Sequence, residues 1–189
     1  MNILVDKLPE VLVIGGAEYP INSDFRPCLS TILAFEDPEL VDAEKQQIML
    51  TNLYVEIPED VPNAQEQAMW FLNGGKDSSG ESAGMRLYSF EKDAGLIFAA
   101  FRQTHGIDLQ AISHLHWWEF MTLFMDLGQD TTFCSLTSLR KRVKTGKATK
   151  EERAAAREMG DMFNLPEVDD RTPEEKAAER EFLEAIGGG

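Results

Sequence analysis

The sequence predicts a mainly α-helical domain with a small N-terminal β-hairpin and a charged C-terminal helical tail. Apolar residues recur every three to four positions along most of the chain, which is the period of a helix with one buried face. Two adjacent glycines, Gly15 and Gly16, interrupt the short apolar run at residues 11–21. Glycine pairs supply the positive φ angles of a tight turn, so this run is predicted to form the hairpin.

Composition excludes several classes of function. Of the 189 residues, 43% are hydrophobic and 27% are charged, which is typical of a folded globular protein. The formal net charge of −15 repels phosphate backbones and anionic membranes, so we expect binding to neither nucleic acid nor membranes. Cys28 and Cys134 lie far apart without a CxxC pair, which favours reduced thiols in a cytosol.

Two parts of the chain differ in composition. Residues 1–145 are predicted to form a helical core domain, in which a glycine- and serine-rich run at about residues 74–84 forms a flexible loop. Residues 146–189 are predicted to form a charged C-terminal helical extension. Its last segment begins with Thr172 as a helix cap and Pro173 in the first turn.

Five helices are predicted in the core domain from the spacing of apolar residues. Ser23 and Asp24 can cap the first helix, Asp37 the second and Ser89 the fourth. The predicted ranges are 25–35, 38–54, 64–72, 88–104 and 108–127.

The last of these helices is the most apolar. Its polar residues Glu119, Thr122 and Asp126 form one narrow stripe, and every other position from 117 to 127 is Trp, Phe, Met or Leu. Such a helix must be covered on several sides, which leaves oligomerisation or peptide binding open beside ordinary core packing. The predicted core or interface residues of this helix and its predecessor are Phe90, Ile97, Phe98, Phe101, Trp117, Trp118, Phe120 and Phe124.

A basic stretch follows at residues 137–153, with seven basic and two acidic residues. We interpret it as a docking surface for an acidic partner. A nucleic-acid-binding regulator is an alternative, but the stretch lacks interleaved aromatic residues and lies in an acidic chain. The candidate docking residues, including two from the C-terminal extension, are Arg140, Lys141, Arg142, Phe182 and Ile186.

Catalytic chemistry has little support in the sequence. A metal-dependent enzyme using His114, His116 and Glu119 is an alternative, but helical positions two residues apart point about 200° away from each other. Cys134 has no motif typical of a cysteine nucleophile around it. We therefore assign no catalytic residue, no metal and no cofactor, and expect a protein that is not an enzyme.

A family resemblance lies in residues 88–133, and its most specific pieces are FEKDAGLIFAAF, GIDL and LHWWEF in that order. The run resembles the tail assembly chaperones of long-tailed phages (siphophages) and prophages of Gram-positive bacteria. These short proteins are encoded just upstream of the tape measure protein. Fainter similarity extends over residues 11–53.

This resemblance implies a helical protein that multimerises and coats the apolar helices of the tape measure protein. It would act in the host cytoplasm until tail tube subunits displace it, and it would be absent from the mature virion. The implied partners are the tape measure protein and further copies of the chain, together with the tail tube protein and a frameshifted longer form. An apolar groove inside an acidic exterior suits such a role.

Overall fold

A computed structural model describes residues 2–76 and 85–166. Within these ranges the chain forms two strands and seven α-helices, and the predicted fold class is confirmed. Most of the predicted loop, residues 77–84, and the predicted C-terminal helix with Phe182 and Ile186 lie outside the described residues. The elements are β1 (Val11–Ile14), β2 (Ala17–Pro20), α1 (Phe25–Glu36), α2 (Asp42–Leu53), α3 (Val61–Leu72), α4 (Ala94–His105), α5 (Trp117–Met125), α6 (Thr132–Lys144) and α7 (Lys150–Met159).

The N-terminal hairpin forms as predicted. Strands β1 and β2 pair antiparallel, with Leu12 opposite Tyr19. Gly15 and Gly16 have φ angles of 60° and 85°, which only glycine adopts without strain at both central turn positions. Strand β1 alternates, since Leu12 and Ile14 are buried while the valines beside them are exposed. One face of the hairpin therefore belongs to the core.

Helix α2 begins later than predicted. The carboxylate of Asp37 accepts a hydrogen bond from the Glu39 N–H (2.8 Å), so Asp37 closes a local turn instead of capping a helix. The helix starts after Val41, whose N–H donates to the side chain of Glu44 (3.1 Å). Helix α3, by contrast, begins three residues earlier than predicted, after the cap Asp60.

Helix α4 also begins later than predicted, at Ala94. Ser89 does not cap it; its hydroxyl accepts from the Lys92 N–H (3.3 Å) in a turn that precedes the helix. The carboxylate of Asp93 accepts the Ser89 N–H (3.1 Å) and pairs with Arg140. These bonds hold the turn, so the segment from residue 85 to residue 93 runs along the helices as a non-helical strap.

Helix α5 begins nine residues later than predicted. Residues 106–116 form a loop, because the side chains at the start of α1 bind its backbone. Asp24 accepts the Leu115 N–H (3.0 Å), and Arg26 donates to the carbonyl oxygen of Leu109 (3.0 Å). Although partial burial alone raises the pKa of Asp24, backbone hydrogen bonds from Leu115 and Arg26 hold this pKa below its ordinary value.

The other elements cover α5 on several sides within one chain. Phe120, only 1% exposed, stacks on Phe25 of α1 and on Phe101 of α4 with ring centroids 5.0 Å apart in both pairs. Phe124 contacts Phe133 of α6 at 5.5 Å. Within residues 2–76 and 85–166, no helix is long and apolar enough to cross a membrane.

Helix α7 packs against α6, and the predicted domain boundary at residue 145 falls in the turn between them. Thr149 caps α7 and forms a capping box with Glu152. Glu152 also pairs with Arg142 at 2.9 Å. Glu152 is half-buried, and hydrogen bonds from the Thr149 N–H and from Arg142 lower its pKa.

Arg140 corrects the predicted docking surface. Its side chain is 1% exposed, so it cannot present its charge to a partner. The guanidinium lies 2.6 Å from the carboxylate of Asp93, which is 2% exposed. Its remaining N–H groups donate to the carbonyl oxygens of Leu87, Met162 and Phe163 at 3.1, 2.7 and 2.8 Å. Arg140 therefore joins α6 to the strap and to the chain beyond α7.

Removing the Asp93 carboxylate leaves the Arg140 charge buried without a counterion. We expect Asp93→Ala to lower the free energy of unfolding by about 3–5 kcal/mol, as is typical when one partner of a buried ion pair is removed. Urea unfolding measures this loss. The matched control is Arg142→Ala, which breaks the half-exposed ion pair between Arg142 and Glu152. Arg142 lies on α6, as Arg140 does, and its replacement should cost less than about 1 kcal/mol. Equal losses in the two variants would contradict the structural role of Arg140.

Candidate functional site

An apolar groove of about 640 Å³ lies between α1, α5 and the strap. We call it the α5 groove. Three charged residues and one proline also line it, and we call them its rim: Glu36, Pro38, Lys45 and Arg86. Its apolar lining consists of Ile32, Phe35, Leu72, Met85, Leu87, Tyr88, Phe90, Trp117, Phe120, Met121, Phe124 and Met125.

One face of α5 supplies the open side of the groove. Trp117, Met121 and Met125 follow each other at i, i+4 and i+8, so they form a row along the helix. Exposure increases along this row: Trp117 is buried, Met121 is half-buried and Met125 is 82% exposed. Methionine is unbranched and flexible, so this lip can adapt to apolar surfaces of different shape.

The floor of the groove is rigid by comparison. Phe120 and Phe124 are fixed by ring contacts, including Phe90 of the strap at 5.2 Å from Phe124. The indole N–H groups of Trp117 and Trp118 donate to the carbonyl oxygens of Leu72 and Phe71 at 2.9 and 2.7 Å. These carbonyls belong to the last turn of α3, and that of Phe71 also accepts the Gly74 N–H (3.0 Å), so the two indoles help to cap α3 and fix the start of α5.

The charged side chains that line the groove lie in its rim. Arg86 donates to the carboxylate of Glu36 (3.0 Å), and the Ser89 hydroxyl donates to the same oxygen (3.1 Å). Lys45 donates to the carbonyl oxygen of Phe35 (3.1 Å). Burial raises the pKa of Tyr88, and the negative charge of Glu36 raises it further, so this phenol stays neutral. The groove therefore combines an apolar lining with a rim that carries charged groups.

Comparison with known proteins identifies the family. The family model described as bacteriophage Gp15 protein matches residues 4–165. This match covers most of the chain. The chain belongs to the bacteriophage Gp15 protein family. No curated protein and no solved structure matches it.

In this family member, the predicted core or interface residues divide into two groups. Phe90, Trp117, Phe120 and Phe124 line the α5 groove. The other four contribute to the core away from the groove, with Phe98 half-buried and the rest buried: Ile97, Phe98, Phe101 and Trp118.

Several groove residues were missed by sequence reasoning. Met121 and Met125 have a detectable signal, since they follow the predicted residue Trp117 at i+4 and i+8 and so lie on the same face of the helix. Met85 and Arg86 have no such signal, because they follow the glycine-rich run in a segment without helical periodicity. Their position depends on the strap being held by Arg140.

Two of the basic docking candidates remain near the surface. Lys141 is exposed, and Arg142 is half-buried beside Glu152. Lys144, at the end of α6, donates to the carbonyl oxygen of Arg86 (2.7 Å) and so touches the strap. The basic stretch is therefore used partly inside the chain, with fewer cations free for a partner than its composition indicates.

The metal-dependent alternative loses its central ligand. The Nδ1 atom of His116 accepts the Trp118 N–H (3.1 Å), so the proton lies on Nε2, which donates to the carbonyl oxygen of Pro9 (3.0 Å). No lone pair is left for a metal. Among the described residues, no group of three His, Cys, Asp or Glu side chains is placed to hold an ion. Burial raises the pKa of the Cys28 thiol to about 12, which disfavours a nucleophilic thiolate there.

His116 makes the stability dependent on pH. Burial lowers its pKa, and this outweighs the opposing hydrogen bond to Pro9. Below about pH 6.5 the unfolded chain binds a proton that the folded chain does not. The free energy of unfolding therefore decreases as the pH is lowered, by at most about 1.4 kcal/mol per pH unit. We expect His116→Asn, which keeps a cap acceptor but does not titrate, to show a shallower fall.

Urea unfolding at a series of pH values between about 7.5 and 5.5 measures this difference. Parallel profiles for the wild type and His116→Asn would contradict the role of the buried imidazole.

Proposed function

We propose that the protein is a non-enzymatic phage tail assembly chaperone that binds an apolar helix of the tape measure protein in the α5 groove. One observation carries this proposal: an open apolar groove has a rigid aromatic floor and a flexible methionine lip. Membership of a bacteriophage protein family places such a groove in a phage context. The resemblance of residues 88–133 to tail assembly chaperones supports the specific role.

The shape of the groove suits a helix as its occupant. Its volume of about 640 Å³ lies within the usual range for ligand sites, and an amphipathic helix docks in such grooves through apolar anchors at i, i+3 or i+4, and i+7. A tape measure protein would present many such helices of different sequence. Methionine side chains at positions 85, 121 and 125 can repack around different anchors.

The proposed chaperone acts as a multimer in the host cytoplasm and is absent from the mature virion. A second apolar surface supports contacts between copies: Val11 and Val13 on the outer face of β1 are 38% and 55% exposed, and Val55 is 68% exposed. Val55 donates its N–H to the carbonyl oxygen of Pro20, so it lies beside β2. The net charge of −15 keeps an assembly with these surfaces soluble.

Co-expression with the tape measure protein of the same genome tests this function. Wild-type chain should bring the tape measure protein into the soluble fraction and co-purify with it. We expect Met121→Glu/Met125→Glu to weaken capture about tenfold or more, because two carboxylates would be desolvated against the partner helix. The amount of soluble tape measure protein recovered per chain is the readout.

The matched control carries the same double change elsewhere. Met159 and Met162 are 41% and 55% exposed and do not line the groove, so Met159→Glu/Met162→Glu should capture the tape measure protein as well as the wild type does. Equal capture by all three chains would show that binding does not use the groove. No capture by the wild type would contradict the proposed function itself.

A further inference from the structure

We propose that the chain carries its own ligand for the α5 groove: residues 172–186, here called the C-terminal segment, occupy the groove until a partner displaces them. This proposal rests on the proposed function only for the identity of that partner. The C-terminal segment lies outside the described residues, and the argument for it comes from where the described chain ends, from its length and from its sequence.

The described chain ends at the rim of the groove. The carbonyl oxygen of Pro166 accepts a hydrogen bond from Arg86 (3.1 Å), and the other terminal nitrogen of the same guanidinium donates to Glu36 (3.0 Å). Arg86 and Glu36 both line the groove. A second cavity of about 610 Å³, which also includes Arg86, extends along residues 163–166. One arginine therefore connects the end of the described chain to the mouth of the groove.

The remaining length is sufficient to reach along the groove. Residues 167–171 can span up to about 17 Å when extended. The C-terminal segment would be about 22 Å long as a helix, against about 14 Å for the nine residues of α5. It could therefore lie along the entire α5 face.

Its chemistry matches that of the groove. Ala178, Phe182 and Ile186 recur at four-residue intervals, which gives an amphipathic helix one apolar face with an aromatic anchor. Residues 167–189 contain eight acidic and three basic residues. The rim has a net positive charge even though Glu36 pairs with Arg86, since Lys45 also lines the groove and Lys144 contacts the strap. An apolar face would enter the groove while acidic residues lie near these cations.

Tethering makes such an occupant effective even when its contacts are weak. A short flexible connection gives an effective concentration in the mM range, so an intramolecular ligand fills its site without high affinity. When the segment occupies the groove in part of the molecules, the apparent affinity for a partner is the intrinsic affinity multiplied by the fraction of molecules whose groove is open. The groove would then open fully only for a partner that offers a stronger or longer apolar helix.

Site-specific cross-linking in the full-length chain tests this proposal. In a Cys134→Ser background, Met125→Cys places a thiol on the exposed lip and Ala185→Cys places one in the C-terminal segment. A short thiol-specific cross-linker should join them within one chain about tenfold faster than it joins the control pair Met159→Cys and Ala185→Cys. Met159 is nearer to the segment along the sequence but lies outside the groove, so it controls for tethering alone.

The outcomes are distinct. Adding Phe182→Asp to the Met125 pair should return its rate to that of the control pair. Equal rates for the two pairs would overturn the proposal, and so would cross-links that form only between chains, which would assign the groove to a second copy. Met125 is 82% exposed, so its replacement does not disturb the core.

Capture of the tape measure protein separates this proposal from the proposed function. Phe182→Asp should increase capture severalfold, because the competing segment is released. If the intramolecular cross-link forms but charges in the groove leave capture unchanged, the proposed function fails while the inference stands. If capture depends on the groove but the cross-link does not form, the inference fails alone.

Discussion

The buried guanidinium of Arg140 holds together three parts of the chain that are distant in sequence. It pairs with Asp93, and it donates to the backbone of the strap at Leu87 and to the chain beyond α7 at Phe163. The strap forms one wall of the α5 groove, and the described part of the chain beyond α7 ends at its rim. Because a buried charge is costly unless its hydrogen-bonding groups are satisfied, this set of bonds strongly favours one arrangement. The geometry of the groove depends on it.

The aromatic helix shows how one element can serve both stability and binding. Most of its surface is covered from within the chain by α1, α4 and α6 through stacked rings around Phe120 and Phe124. The side that carries Met121 and Met125 stays partly open and becomes the lip of the groove. The excess of apolar residues in α5 is therefore divided between a rigid core and an adaptable surface, and an open apolar groove arises without additional elements.

Local signals predicted the elements whose ends are fixed by nearby residues. The glycine pair predicted the hairpin, and Asp24 predicted the start of α1. The starts of α4 and α5 were wrong because distant groups decide them: Arg140 holds Asp93, and Asp24 binds the backbone of Leu115. Arg140 itself was misjudged as a surface charge. Its spacing of four from Leu136 and seven from Phe133, both buried, was the available sign of a buried face.

The central claim is that the α5 groove is the binding surface, and oxidative footprinting of methionines tests it most directly. Met85 and Met125 line the groove and are 49% and 82% exposed, whereas Met159 and Met162 lie outside it and are 41% and 55% exposed. In the Phe182→Asp chain, where the C-terminal segment does not compete for the groove, binding of the tape measure protein should slow oxidation of the first pair and leave the second pair unchanged. Protection of Met159 and Met162 with Met85 and Met125 still reactive would contradict the account.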